Sequence, residues 1–259
     1  NLCEECPLNI RPQHIGCALL CKRSKYSTLS TTNLAHRGRG RHVSKILQPG
    51  NKSVFCQSVL HSHVTDRARV QLLESLTLQS FTDFEIIIVE DGSTVSSEAV
   101  CARYGGRLTI RYFFKDNSGP GPSRNYGCRR ASGDYFLFID SDCTVPPHYL
   151  SSIDAEVSEK GLDAFGGPDR EHERFPPVQK AISYAMTSFL TTGGIRGGKV
   201  RVGGVFHPRS FNMGISRKVF NATDGFARMR FGEDVEFSIR MMSMGYNVQL
   251  IPNAWVYHK

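Results

Sequence analysis

Tyr135-Phe136-Leu137-Phe138-Ile139-Asp140-Ser141-Asp142 is an aromatic and aliphatic run that ends abruptly in two carboxylates. No charged residue interrupts the run. It reads as a strand covered on both faces, as in a mostly parallel sheet. Open α/β sheets bind ligands at the carboxyl ends of their strands. Two acids there, followed by Cys143-Thr144-Val145-Pro146-Pro147, suit a divalent cation with oxygen ligands. A solvated acidic turn accounts for the same residues equally well, because Asp and Ser are common turn formers. The neighbouring stretches decide between the two.

Those stretches alternate between strand and helix. From Arg67, the residues Val70, Leu72, Leu73, Leu76 and Leu78 recur at near-helical spacing, which predicts an amphipathic helix ending near Gln79. Phe84 to Val89 is a buried strand with the turn Glu90-Asp91-Gly92-Ser93 at its end. Ser96 to Tyr104 reads as a helix, Leu108 to Phe113 as a strand, Ser118 to Pro122 as a Gly/Pro loop, and Ser123 to Ala131 as a helix. The alternation predicts an α/β fold with a mostly parallel, doubly wound central sheet, right-handed crossovers and helices on both faces. After Pro147 the pattern loosens. Helices are expected over Tyr149 to Lys160, Val178 to Leu190 and Phe231 to Met244, and short strands at 164–167, 210–215, 248–251 and 255–257. Thr191 to Gly204, rich in Gly and cationic residues, reads as a mobile loop and a candidate lid.

Bulk properties narrow the class. The chain has 259 residues, 40% of them hydrophobic, enough for one large α/β domain. Its longest apolar runs, such as Ile86 to Val89, are far too short for a membrane-spanning helix. Of the net charge of +8, residues 1–65 contribute +7: nine Lys/Arg against Glu4 and Glu5. The excess belongs to one segment, so the chain is not read as a nucleic-acid binder. Cys101, Cys128 and Cys143 read as small core residues of a reducing compartment. Cys3, Cys6, Cys17 and Cys21, with His14 between them, have zinc-like spacing but no helix or hairpin around them, so they are not assigned to a metal.

Five places carry candidate chemistry. Glu90-Asp91 and Asp140/Asp142 end two strands that a parallel sheet brings to one edge, where acids can bind ribose hydroxyls or a base N–H. Arg124 follows the Gly/Pro loop at the start of a helix, where an anion is favoured. Its plainer reading is a surface arginine. Asp234 sits in Gly232-Glu233-Asp234 at a helix start, as a dipole-capping acid or as a general base for an acceptor hydroxyl. His258 is either a structural imidazole or a metal ligand.

The order of motifs Phe84 to Ser93, Gly119-Pro120-Gly121-Pro122-Ser123-Arg124-Asn125-Tyr126-Gly127, Gly133 to Asp142 and Phe231-Gly232-Glu233-Asp234 resembles the family-2 glycosyltransferases of the GT-A fold, of the type that serves bacterial polysaccharide or glycan synthesis. The resemblance covers about residues 67–259. It implies metal-dependent, inverting transfer of a sugar from a nucleotide-diphospho-sugar donor to a glycan or lipid-linked acceptor. It implies that Glu90, Asp91, Arg124 and Asp140 bind the donor, and that Asn212 and Gly214 line its sugar. It also implies that Asp140, Asp142 and His258 hold Mn²⁺ or Mg²⁺, and that Asp234 is the base. By the same resemblance the work is cytoplasmic, at the inner face of the membrane. The chain is expected to be truncated past Lys259, and the missing C-terminal sequence would carry any peripheral membrane association.

One departure stands out. Ser53 to Leu60 has a strand's composition, but Ser58-Val59-Leu60-His61-Ser62-His63-Val64-Thr65 lacks the Pro, Tyr and Asn of the family's opening loop. Residues 1–66 are therefore read as an atypical basic Cys/His-containing segment, disordered or frame-shifted, and the proper first strand as missing. Residues 67–259 are read as the transferase domain, with 67–147 the nucleotide-binding half and 148–259 the acceptor half. Two alternatives follow. One is a catalytically impaired nucleotide-sugar-binding module. The other is a haloacid-dehalogenase-type phosphohydrolase, whose Asp-x-Asp-x-Thr pattern Asp140 to Thr144 also fits, with Asp140 as nucleophile.

Overall fold

A computed structural model describes residues 53–59 (backbone only), 66–172, 175–188, 206–229 and 231–258. Its larger sheet has seven strands in the order β3-β2-β1-β4-β8-β6-β9. These are β1 (Ser53–Val59), β2 (Phe84–Asp91), β3 (Ile110–Lys115), β4 (Tyr135–Ile139), β6 (Ala164–Gly166), β8 (Asn212–Ser216) and β9 (Val248–Leu250). Every neighbouring pair is parallel except those made by β8, which is antiparallel to both β4 and β6. The mostly parallel sheet is as expected. The reversed strand was not foreseen, because residue composition does not encode strand direction.

Each central strand feeds two cores. Ile86, Ile88, Leu137 and Ile139 point into one, and Ile87, Val89, Phe136 and Phe138 into the other, following the two-residue period of a strand. The first core is covered by α1 (Asp66–Thr77), α2 (Glu98–Ala102) and α4 (Tyr149–Lys160), through Leu72, Leu76, Val100, Tyr149 and Ile153. The second is covered by α3 (Pro120–Cys128), α6 (Arg217–Thr223) and α7 (Glu233–Ser243), through Cys128, Val219, Phe220, Phe237 and Met241. The uninterrupted apolar runs of β2 and β4 are therefore what a strand with two covered faces requires.

Two expectations are corrected here. The first strand is present: β1 lies between β2 and β4, in register with β2 from Ser53↔Phe84 to Val59↔Glu90. The sheet thus begins ahead of residue 67. Ladder hydrogen bonds need only backbone N–H and C=O groups, which any non-proline stretch supplies. Residues 1–52 and 60–65 lie outside the described residues, as does the proposed lid, Thr191 to Gly204. The second correction concerns α3, which starts at Pro120 rather than Ser123. Gly119 takes φ of 91° as its cap, a conformation that favours glycine. Proline then suits the first helical position, where no N–H is needed.

A second, three-stranded sheet, ordered β5-β10-β7, joins β5 (Cys143–Thr144), β7 (Asp169–Arg170) and β10 (Val256–His258). Strand β10 is antiparallel to β5, with His258 opposite Cys143 and Tyr257 opposite Thr144. It runs parallel to β7, with Val256 opposite Asp169. The segment that follows β5 is braced by Ser75 of α1 and by Gln79 just past its end. Ser75 Oγ accepts from the Val145 N–H at 3.2 Å, Gln79 Nε2 donates to the Pro146 carbonyl at 2.8 Å, and Gln79 Oε1 accepts from the Leu150 N–H at 3.1 Å.

Gly214 shows how tightly the reversed strand is packed. A Cβ there would sit 2.0 Å from the Phe165 ring, on the strand paired beside it. Overpacking of this kind costs about 1–3 kcal/mol. Gly214→Ala is expected to lower the urea midpoint accordingly, and adding Phe165→Leu is expected to recover part of the loss.

Candidate active site

The carboxyl ends of β2 and β4 carry the expected acids, but the structure uses them differently. Beyond β4, the Cys143 N–H donates to the Asp140 carbonyl at 3.0 Å. This closes a turn that leaves the Asp140 and Asp142 side chains 40% and 41% exposed. Arg124 lies beneath them in the second turn of α3, so it does not open the helix, nor is it a surface residue. It is 4% exposed. It donates to Glu233 Oε1 at 2.8 Å, lies 3.8 Å from Asp140 Oδ1, and packs over the Phe226 ring.

Asp234 and Glu233 occupy the first turn of α7, behind Gly232 with φ of 76°. Asp234 is buried, 3.0 Å from Arg209 Nε. Its Oδ2 accepts from the Ser210 N–H and its Oδ1 from the Val235 N–H. Asp234 is close enough to Asp140 to act on its charge. The Asp140 pKa is raised by burial, lowered in part by Arg124 and His258, and raised again by Asp142 and Asp234. The net direction is upward.

His258 was expected beyond the last strand. It lies within β10, because pairing with β5 extends that strand to its position. Its Nε2 is 3.3 Å from Asp142 Oδ1, its Nδ1 is 3.8 Å from Asp169 Oδ2, and its ring packs against Phe211. Burial disfavours the imidazolium, but the hydrogen bond and charge of Asp142, then the charges of Asp169 and Asp140, outweigh it and raise the pKa. The buried Cys143 completes the group. Ligand atoms of Asp142, Cys143 and His258 all lie within 4.8 Å of one another. Burial, followed by the charges of Asp140, Asp142 and Asp169, raises the Cys143 pKa well above its usual value, so it is a thiol at neutral pH.

Other expected donor residues are committed elsewhere. Glu90 is fully buried and accepts from the Ser97 N–H, Ser97 Oγ and Tyr112 Oη. Asp91, also fully buried, accepts from the Ser118 and Gly119 N–H groups and from Lys115. Together they shape the loops at this edge. Asn212 donates to the Ala254 carbonyl and accepts from Tyr149 Oη, both within the protein. Gly214 lies against Phe165. In this structure the polar groups of Glu90, Asp91 and Asn212 have partners within the protein, and Gly214 packs against Phe165. Asp169, Arg209, Glu233 and Cys143 join the site without having been assigned to it. The first two follow no sequence motif, and their signal exists only in strand pairing and loop return.

The charge and ligand types at the Asp142–His258 group fit a divalent cation. Carboxylate oxygens suit Mg²⁺ and Mn²⁺, and an imidazole favours the softer of the two. Burial is the main reason the Asp140 pKa is raised, ahead of the charges around it, and a bound cation would favour its ionised form.

Comparison with known proteins agrees with the fold. A family described as Glycosyl transferase family 2 matches residues 70–223. An uncharacterized glycosyltransferase of Rickettsia felis is 40% identical over 73 residues, 28% of this chain and 12% of that protein. Glycosyltransferase GlyA of Streptococcus pneumoniae is 32% identical over 92 residues, 35% of this chain and 13% of that protein. The chain thus spans a small part of these relatives' length. Among solved structures, Staphylococcus aureus TarS (residues 1–349) superposes with a TM-score of 0.60 at 22% identity, covering 81% of this chain and 60% of that one. The mannosyltransferase PcManGT of Pyrobaculum calidifontis, in complex with GDP-Man and Mn²⁺, gives 0.60 at 14% identity, covering 80% and 57%. Both share the GT-A fold described here.

The His258 environment predicts a pH dependence. Its folded pKa lies above the ordinary value of 6.5. Its charge therefore contributes stability that is complete below 6.5 and is lost as pH rises through the folded value. Urea denaturation on either side of that range should show this loss in the wild type and a flatter profile in His258→Gln. An unchanged slope in the variant would place the dependence elsewhere.

Proposed function

Because the chain belongs to glycosyl transferase family 2, we propose that it transfers a sugar from a nucleotide-diphospho-sugar to an acceptor hydroxyl, with inversion and with help from Mn²⁺ or Mg²⁺. The observation that carries this reading is the meeting of Asp140, Asp142, His258, Arg124 and Asp234 at one edge of the sheet, from four separate parts of the chain. Solved neighbours support the donor class: TarS has been seen with UDP-GlcNAc, and PcManGT with GDP-Man and Mn²⁺.

The residues divide the work. Asp142 and His258, with Asp140 beside them, would hold the cation. When bound, it supplies charge that offsets the departing diphosphate. Asp140, half-exposed at the end of β4, is placed to accept from a donor hydroxyl. Arg124 keeps Asp140 and Glu233 in fixed positions from below, and its guanidinium adds positive charge to the donor side. Asp234 is the base. Its carboxylate is oriented by Arg209 and by two backbone N–H groups. From there it takes the acceptor's proton as the acceptor oxygen attacks the anomeric carbon. Glu90 and Asp91 act at one remove, by holding the loops that wall the donor side.

A glycan or lipid-linked hydroxyl is the acceptor class we infer, at the cytoplasmic face of a membrane. Among the described residues no helix is long and apolar enough to cross one. A phosphohydrolase reading has no support in the family or in the placement of Asp140 after the fourth strand in chain order.

Asp234→Asn is expected to reduce transfer by about 10²–10⁴-fold, the usual contribution of a positioned base, while donor binding measured by calorimetry stays near wild type. Retention of most of the activity would remove Asp234 as the base. Asp142→Ala is expected to weaken donor binding in the presence of Mn²⁺ and to leave binding without metal little changed. Equal loss in both conditions would argue for a structural role.

A further inference from the structure

The sulfur of Cys143 is unused by the reaction described above, yet it sits among the ligands. Cys143 and His258 are directly opposite each other across the β5–β10 pair, the arrangement that brings Cβ atoms closest in a sheet. Asp142 precedes Cys143 in the chain. Their three ligand atoms lie within 4.8 Å of one another. Around tetrahedral zinc, with bonds of about 2.0–2.3 Å, such atoms stand roughly 3.5 Å apart. Side-chain rotation of little more than an ångström closes the difference. A second feature points the same way. Asp169 lies 3.8 Å from His258 Nδ1, leaving Nε2 turned toward Asp142. A carboxylate behind an imidazole is the usual support for a metal-bound histidine.

We propose that Cys143 makes this a site for thiophilic divalent ions of the zinc class, bound through Asp142, the Cys143 sulfur and His258 in competition with the Mn²⁺ or Mg²⁺ of catalysis. The inference rests on the metal-dependent reading of the Asp142–His258 pair. Binding releases the Cys143 thiol proton to the buffer and leaves the sulfur as a thiolate ligand. Sulfur adds nothing for Mg²⁺, which prefers oxygen, but it favours zinc, which already outranks Mn²⁺ on nitrogen and oxygen ligands. The two ions share Asp142 and His258, so they exclude each other. Free zinc would switch the enzyme off, and chelation would restore it.

The test uses the whole chain. Mn²⁺ is bound first and Zn²⁺ is added, while the electron paramagnetic resonance signal of released Mn²⁺ is followed. Co²⁺ is used separately as an optical probe. The wild type should release Mn²⁺ at Zn²⁺ concentrations well below that of Mn²⁺, and should show a thiolate-to-cobalt charge-transfer band. In Cys143→Ser, the Zn²⁺ needed should rise by about tenfold or more, and the band should weaken by the share of one thiolate. Mn²⁺-dependent donor binding should remain. Cys143→Ala, checked by circular dichroism, serves where serine disturbs the buried position. An unchanged displacement curve and an undiminished band in both variants would overturn the proposal. Failure of Mn²⁺ to bind the wild type would instead overturn the metal-dependent reading, while a band lost in Cys143→Ser would still support the sulfur ligand.

Discussion

Mutual repulsion among carboxylates is the constraint around which this edge of the molecule is built. Asp140, Asp142, Asp169, Glu233 and Asp234 converge there, three of them buried. Left alone, such a group would not remain ionised in a protein interior, because each charge raises the energy of the next. Arg124 is the answer from below: one guanidinium holds Glu233 and approaches Asp140. Arg209 answers from the side at Asp234, and His258 lies between Asp142 and Asp169. At Asp140 burial keeps the pKa raised despite Arg124 and His258. A cation beside Asp142 and His258 would offset that cost and, through its charge, attract a diphosphate.

The fold supplies this arrangement cheaply because one sheet edge collects the ends of several strands. Strand β4 delivers Asp140 and Asp142, and β2 delivers Glu90 and Asp91. Helix α3, packed under β1 and β2, brings Arg124 up from the second core. The small sheet then does what the large one cannot. By pairing β10 with both β5 and β7, it sets an imidazole from the end of the described chain against a carboxylate and a thiol more than a hundred residues earlier. The acids of β2, by contrast, are consumed in loop-building. Asp91 fixes the backbone at Ser118 and Gly119, and Gly119 in turn caps α3. This makes Asp91 a determinant of where Arg124 stands, even though its carboxylate is closed off.

Much of the architecture was legible in residue order. The runs Phe84 to Val89 and Tyr135 to Ile139 could only be strands with two covered faces, and the helical spacing of Leu72, Leu73 and Leu76 could only face a core. These are short-range periodicities, and a chain announces them locally. The acids at strand ends were visible for the same reason, as was Asp234 at a helix start. One local reading failed where a neighbour overrode it: proline began α3 three residues early. Ser53–Val59 formed the strand its composition allowed, although the residues expected after it are absent from the sequence.

By itself, then, the sequence determined a parallel core with acids at its carboxyl edge, because apolar period and turn chemistry are properties of adjacent residues. Only the tertiary structure decided which of those acids remain open. Glu90, Asp91 and Asn212 are filled by partners that no spacing rule connects to them. It also decided that Cys143, Asp169, Arg209 and His258 share a site, since strand pairing and loop return are settled by long-range backbone hydrogen bonds and packing rather than by neighbours in the chain.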